Sequence, residues 1–196
     1  MNRSPRIAIF ASGSGSNAQR IAEYFDGTGL LEISAVYCNN PDAFVLERAI
    51  SLGIPSVVFN RDTFYNSKAI LDDLKSREIN WIVLAGFLWL IPDYILKAFP
   101  QRIINIHPAL LPSYGGKGMY GMKVHQAVIA SGDAESGITI HYVNEHYDEG
   151  DIIFQAKCAI SKGDTAEVLA SKIHELEYEN FPVIIEKLIA GEGLSK

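Results

Sequence analysis

Cysteine is scarce in this chain. Cys38 and Cys158 are the only two in 196 residues, far apart and without metal-ligand spacing. Two free thiols in a reducing cytosol is the reading that fits, so a cytoplasmic protein is expected. Basic residues are also few: 17 Lys and Arg face 23 Asp and Glu, for a net charge of -6. That balance argues against a protein whose main task is coating nucleic acid or an anionic membrane, though it leaves room for a local pocket for a small anion. No apolar run approaches a membrane span. No signal peptide is visible, because Met1-Asn2-Arg3-Ser4-Pro5 leads straight into a short strand. There is no Walker Gly-Lys-Ser/Thr, so an ATP-hydrolysing loop is not expected. No internal repeat or low-complexity tail stands out.

What is present is an ordinary globular balance, 48% hydrophobic and 20% charged, in a length that suggests one domain. Such a chain buries roughly 70% of its unfolded surface, enough for a core without staples. Short apolar runs alternate with helical patterns. Strands are expected at 6–11, 33–38, 55–59, 81–85 and 102–106. Between them lie helices after Asn17 (Ile21, Tyr24 and Phe25 on one face), over 43–52, over 63–77 (Ile70, Leu71 and Leu74 inward) and over 92–99. This rhythm predicts an α/β fold with a doubly wound, mostly parallel, Rossmann-like sheet. After Pro112 the rhythm changes. Four glycines in the nine residues 113–121 suggest a mobile loop. A short helix over 124–130 follows, then strands over 137–143 and 151–156 that pair antiparallel. A long C-terminal helix, with Asp164 as N-cap and Glu167 completing a capping box, runs to Ile189 with a kink or break at Pro182.

The chemistry concentrates where an apolar strand stops: Ile104-Asn105-Ile106-His107-Pro108. Asn105 and His107 are two apart, so an extended backbone points both to one face. They place a hydrogen-bond donor and a titratable imidazole at a strand's carboxyl end, where parallel sheets bind ligands. Gly13 and Gly15 precede a helix start at Ser16-Asn17, which suits a phosphate on free amides, or a plain tight turn. The spacing Gly13-x-Gly15-x-x-Ala18 loosely fits a dinucleotide fingerprint. The second strand, however, ends Cys38-Asn39-Asn40 with no carboxylate for a ribose. Asp148, in the polar connection between the late strands, is either a turn residue or the partner of His107. His141 reads as a satisfied strand histidine or as part of the same site, with the first slightly favoured.

These motifs together resemble the folate-dependent phosphoribosylglycinamide formyltransferases. They are Ser12-Gly13-x-Gly15-Ser16-Asn17, Leu84-Ala85-Gly86-Phe87, Asn105-x-His107-Pro108-Ala109-Leu110-Leu111-Pro112, Gly137 to His141, and Asp148-x-Gly150. They span the chain in the right order. The resemblance implies transfer of the formyl group of 10-formyltetrahydrofolate to glycinamide ribonucleotide in purine biosynthesis, with no metal. It makes Asn105, His107 and Asp148 catalytic. It gives Gly15, Ser16, Asn17, Ala18 and Gln19 the substrate phosphate, and His174, Glu175, Leu176 and Glu177 the rest of that substrate. Leu88, Trp89, Leu90 and Ile91 contact folate, as does Asn105. Asn144, Glu145, His146, Tyr147 and Asp148 form a loop over the pterin. It implies a single domain over 1–196, with a phosphate- and nucleotide-binding half over 1–100 and a catalytic and folate-binding half over 101–196, as monomer or homodimer.

Two departures concern the folate tail. Many members carry Arg at the positions of Trp89 and Ser67, so those contacts are either lost here or replaced by Lys68 or Lys117. The loop Gly115–Lys123 is also longer than in many members. On this reading the amine attacks the formyl carbon directly, and Asn105 and a protonated His107 donate to the oxyanion. Asp148 keeps His107 charged near neutrality and assists proton transfer. The competing readings are a formyltetrahydrofolate hydrolase, which usually carries a regulatory domain ahead of this one, and a non-catalytic nucleotide sensor.

Overall fold

In the computed structural model, which describes residues 4–191, the apolar runs become the inner strands of a sheet. β1 (Arg6–Ala11) buries every residue from Ile7 to Ala11, and β4 (Trp81–Leu84) is buried throughout. Strands covered on both faces have no polar side to alternate with, which is why these segments read as unbroken hydrophobic runs. β2 (Glu32–Cys38) and β3 (Ser56–Val58) extend the sheet outward. The pairs β1–β2, β1–β4 and β2–β3 are parallel. With β5 (Ile103–His107), β6 (Glu135–Tyr142) and β7 (Ile152–Ala159), the seven strands follow the order β3-β2-β1-β4-β5-β6-β7. The doubly wound, mostly parallel reading is the fold observed.

The chain forms two compact units that divide between Ile104 and Asn105, inside β5. In the first, α1 (Ser16–Phe25) and α2 (Val45–Ser51) follow β1 and β2. The single helix expected over 63–77 is two helices, α3 (Arg61–Tyr65) and α4 (Ala69–Ser76). The cause is local. Asn60 caps α3 by accepting from Thr63 N at 2.9 Å, while Ser67 Oγ donates to Thr63 O at 2.8 Å and accepts from Ala69 N. Side chains that bond to nearby backbone offer it an alternative to the helical ladder. Ile70, Leu71 and Leu74 are buried as expected. α5 (Asp93–Ala98) leads toward β5. Phe10, Tyr37, Phe59, Phe64 and Phe87 form an aromatic core, with Phe10 and Tyr37 stacked at 4.8 Å.

In the second unit β6 and β7 pair antiparallel, and their register shifts between Ile140 and His141. α6 (Met122–Ser131) precedes them and α7 (Ala166–Ala190) follows. The cap of α7 is Thr165, not Asp164: Thr165 Oγ1 accepts from Val168 N at 3.3 Å. Asp164 instead accepts from Ser161 N at 2.9 Å and pairs with Lys172 Nζ at 2.5 Å, so its carboxylate is occupied elsewhere. The helix does not end at Pro182. It continues to Ala190, and burial of Phe181, Pro182, Ile184 and Ile185 offsets the lost backbone bond. Among the described residues no helix is long and apolar enough to cross a membrane.

Candidate active site

The second unit gathers the three residues singled out as catalytic. Asn105 and His107 stand two apart on β5, so the strand's period of two turns both side chains the same way. Asp148 arrives from the connection after β6. The His107 Nδ1 atom lies 3.5 Å from Asp148 Oδ2. His107 is 3% exposed and Asp148 12%. A fourth residue joins them. His141 Nε2 is 3.1 Å from Asn105 Nδ2 and 3.7 Å from Asp148 Oδ1. The preference for His141 as an uninvolved strand residue is therefore corrected. Its place comes from β6 lying beside β5 in the sheet, a pairing that the local alternation of β6 does not reveal.

Main-chain groups fix the tautomers. A carbonyl only accepts, so His107 Nε2–H donates to Tyr114 O at 2.8 Å, and Nδ1 is the nitrogen facing Asp148. Likewise His141 Nδ1–H donates to Tyr142 O at 2.8 Å. On a neutral ring His141 Nε2 then accepts from the Asn105 amide, which leaves Asn105 one further N–H to donate. Gly116 N–H donates to Asp148 Oδ2 at 2.9 Å. The glycine-rich segment is thus tied down at Tyr114 and Gly116. Its glycine at 115 has a steric reason: a Cβ there would lie 2.6 Å from Leu111 Cδ2 and 3.2 Å from Asp148 Cβ. Tyr114 and Asp148 both sit at positive φ, +57° and +59°, the left-handed region that non-glycine residues rarely occupy and that clusters at functional sites. Behind the cluster, Thr139 Oγ1 donates to Ala109 O and accepts from Leu111 N, which fastens the Pro-rich turn to β6.

Burial sets the charge of the pair. It pushes the His107 imidazole below its ordinary value, and the Asp148 charge and the Tyr114 carbonyl only partly oppose it. The expectation of a charged His107 near neutrality is corrected, because the desolvation of a buried ring outweighs one carboxylate. Burial pushes the Asp148 carboxyl up, but the neighbouring His141 and His107 imidazoles and the Gly116 N–H together hold it below its usual range. Asp148 is the anion of the pair.

Other singled-out residues of this unit lie on α7 and in the late connection. Glu177 is buried; His174 and Glu175 are exposed, with the His174 ring beside Tyr178 at 6.1 Å, so one helical turn does not present all four residues 174–177 alike. Asn144 Oδ1 accepts from His146 N at 2.9 Å and shapes the loop. Glu145 and His146 are exposed; Tyr147 is half-buried. Lys117 is exposed.

In the first unit, Gly15 opens α1 at φ +74°, and a Cβ there would lie 2.3 Å from Val45 Cγ2, so only glycine fits. Ser16, Asn17, Ala18 and Gln19 form the first turn of α1, and Gln19 N closes it on Gly15 O. The loops after β1 and β4 meet where the strand order reverses: Ser12 N donates to Gly86 O, and Leu88 N to Ser12 Oγ, both at 3.0 Å. Leu88 is exposed, Leu90 half-buried and Ile91 in the core. Trp89 is half-buried against Phe59, Phe64, Tyr65 and Phe87, with the Arg61 guanidinium 5.6 Å from its ring. Ser67 spends its hydroxyl on α3 and α4, and Lys68 is exposed.

The profile of the formyl transferase family matches residues 5–185. This chain belongs to the formyl transferase family. The formyl transferase is 37% identical over 193 residues to the phosphoribosylglycinamide formyltransferase of Bacillus subtilis, covering 94% of each. It is 41% identical to a chloroplastic phosphoribosylglycinamide formyltransferase of Arabidopsis thaliana, covering 95% of this chain and 68% of that protein. Among solved structures it superposes on glycinamide ribonucleotide transformylase 1 from Symbiobacterium toebii with a TM-score of 0.87 at 31% identity, over 97% of this chain and 90% of that one. The corresponding Geobacillus kaustophilus structure gives 0.84 at 37% identity, over 95% and 99%. It is an enzyme that transfers formyl groups.

Proposed function

We propose that this formyl transferase passes the formyl group of 10-formyltetrahydrofolate to the amine of glycinamide ribonucleotide. The observation that carries the reading is the meeting of Asn105, His107 and Asp148, distant in sequence, within hydrogen-bond and ion-pair range of one another or of His141. The neutral amine attacks the formyl carbon; a C–N bond forms and the carbonyl oxygen becomes an alkoxide. The free N–H of Asn105 donates to it, and a donor of this kind is typically worth about 3 kcal/mol in the transition state. A neutral His107 is well placed for the proton that the amine must lose. Nδ1 accepts it, the Asp148 anion stabilises the imidazolium beside the alkoxide, and the folate nitrogen takes the proton as it leaves. The alkoxide then collapses to the new formamide.

Gly15–Gln19 hold the phosphate, and Glu177, with His174, Glu175 and Leu176, the remainder of the acceptor. Leu88–Leu90 and Asn144–Tyr147 hold the folate; Ile91 contributes its main chain, since its side chain is in the core. Absorbance of released folate tests the reading. Release that requires glycinamide ribonucleotide supports it. Release without the acceptor makes the protein a hydrolase, and no release makes it a sensor.

A further inference from the structure

One side chain grips both ends of the turn that opens α1. Arg48, on α2, donates from Nε to Ser14 O at 2.9 Å and from a terminal nitrogen to Gln19 Oε1. Its guanidinium lies 4.8 Å from the centre of the Phe44 ring. The same helix start adds two contacts: Val45 N donates to Gly13 O at 3.1 Å, and Val45 closes on the face of Gly15 where a Cβ would stand. The first turn of α2 is therefore a mould for residues 13–19. Arg48 is in none of the ion pairs seen among the described residues. Two of its five N–H donors go to neutral acceptors, Gln19 in turn donating to Glu23, and the helix start they hold favours anions and has no acidic residue in its first turn.

We infer that Arg48 is the residue that positions the phosphate-binding turn for the acceptor's phosphate. This rests on the proposed function. The planar fork holds Ser14 and Gln19 at a fixed separation, which keeps the intervening turn in one shape. A lysine ammonium is compact and sits on a flexible stem, so it does not reproduce that fork. Arg48 acts through the turn and takes no part in formyl transfer itself.

The test compares Arg48→Met and Arg48→Lys with the wild type, using glycinamide ribonucleotide and the same glycinamide riboside lacking phosphate. With the ribonucleotide, Arg48→Met is expected to raise KM roughly 30-fold, the size of a charge-assisted contact, with kcat and the formyl-folate KM nearly unchanged. Arg48→Lys is expected to recover only part of that loss. With the unphosphorylated riboside, kcat/KM of wild type and both variants should agree. A penalty that persists with the riboside, an unchanged ribonucleotide KM, or full recovery by lysine overturns the inference. If Arg48→Met does not fold, Arg48→Lys with the two acceptors decides alone. A wild type without ribonucleotide-dependent turnover refutes the proposed function instead, a separate result.

Discussion

Replacing Asp148 by asparagine removes one negative charge and leaves its surroundings almost intact. The asparagine carbonyl still accepts from Gly116 N, and asparagine is among the few residues that tolerate the left-handed backbone found at this position, φ +59°. The loss is therefore electrostatic. At the 3.5 Å separation of His107 Nδ1 and Asp148 Oδ2, an ion pair in an effective dielectric of about 20 is worth about 5 kcal/mol. If the imidazolium forms beside the alkoxide as proposed, most of that energy is missing in the variant, and turnover falls about 10³-fold. KM for both substrates should move little, because the pair acts on the chemical step. The assay is steady-state folate release at saturating substrates, alongside a thermal melt that checks the fold. A variant that melts like wild type and retains turnover within about tenfold refutes the charge argument.

Acid should weaken the fold through His125, a buried histidine on α6 whose value burial and the neighbouring His174 and His107 push down to about 4. Its folded value lies below the ordinary 6.5, so the unfolded chain takes up the proton first; stability is full above about pH 6.5 and is lost as pH falls toward 4, by about 3 kcal/mol in all. Urea midpoints across that window should slope, and His125→Gln should flatten the slope. Gly150→Ala would set a Cβ 1.8 Å from Tyr142 O, a backbone atom that cannot step aside, and should destabilise the second unit by about 2 kcal/mol or more. The check is chemical denaturation; a variant of wild-type stability would show that the hairpin yields there at no cost.

The sheet was legible because its signals are local. Unbroken apolar runs mark strands buried on both faces, and the strand–helix alternation predicts parallel pairing. The Asn105–His107 pair was legible for the same reason, since a spacing of two settles which face both share. What escaped depends on information that no short window holds. The role of His141 comes from its meeting with Asn105 on the neighbouring strand and with Asp148 from the following connection. The neutral state of His107 comes from burial contributed by residues far along the chain. The break between α3 and α4 comes from Ser67 choosing backbone partners over continuing a helix that its neighbours would support. The cap of α7 moved by one residue because Lys172, two turns on, competes for Asp164.

The groups that set the proton positions on both imidazoles are the carbonyls of Tyr114 and Tyr142, and the donor nearest Asp148 is the amide of Gly116. None of the three belongs to a side chain. No codon change removes the two carbonyls, and only a change to proline would remove the amide; any other can only shift the fold that presents them. For these proton positions what selection must guard is chain geometry more than residue identity, although the Tyr114 hydroxyl is also held by Ser131 and Asp133.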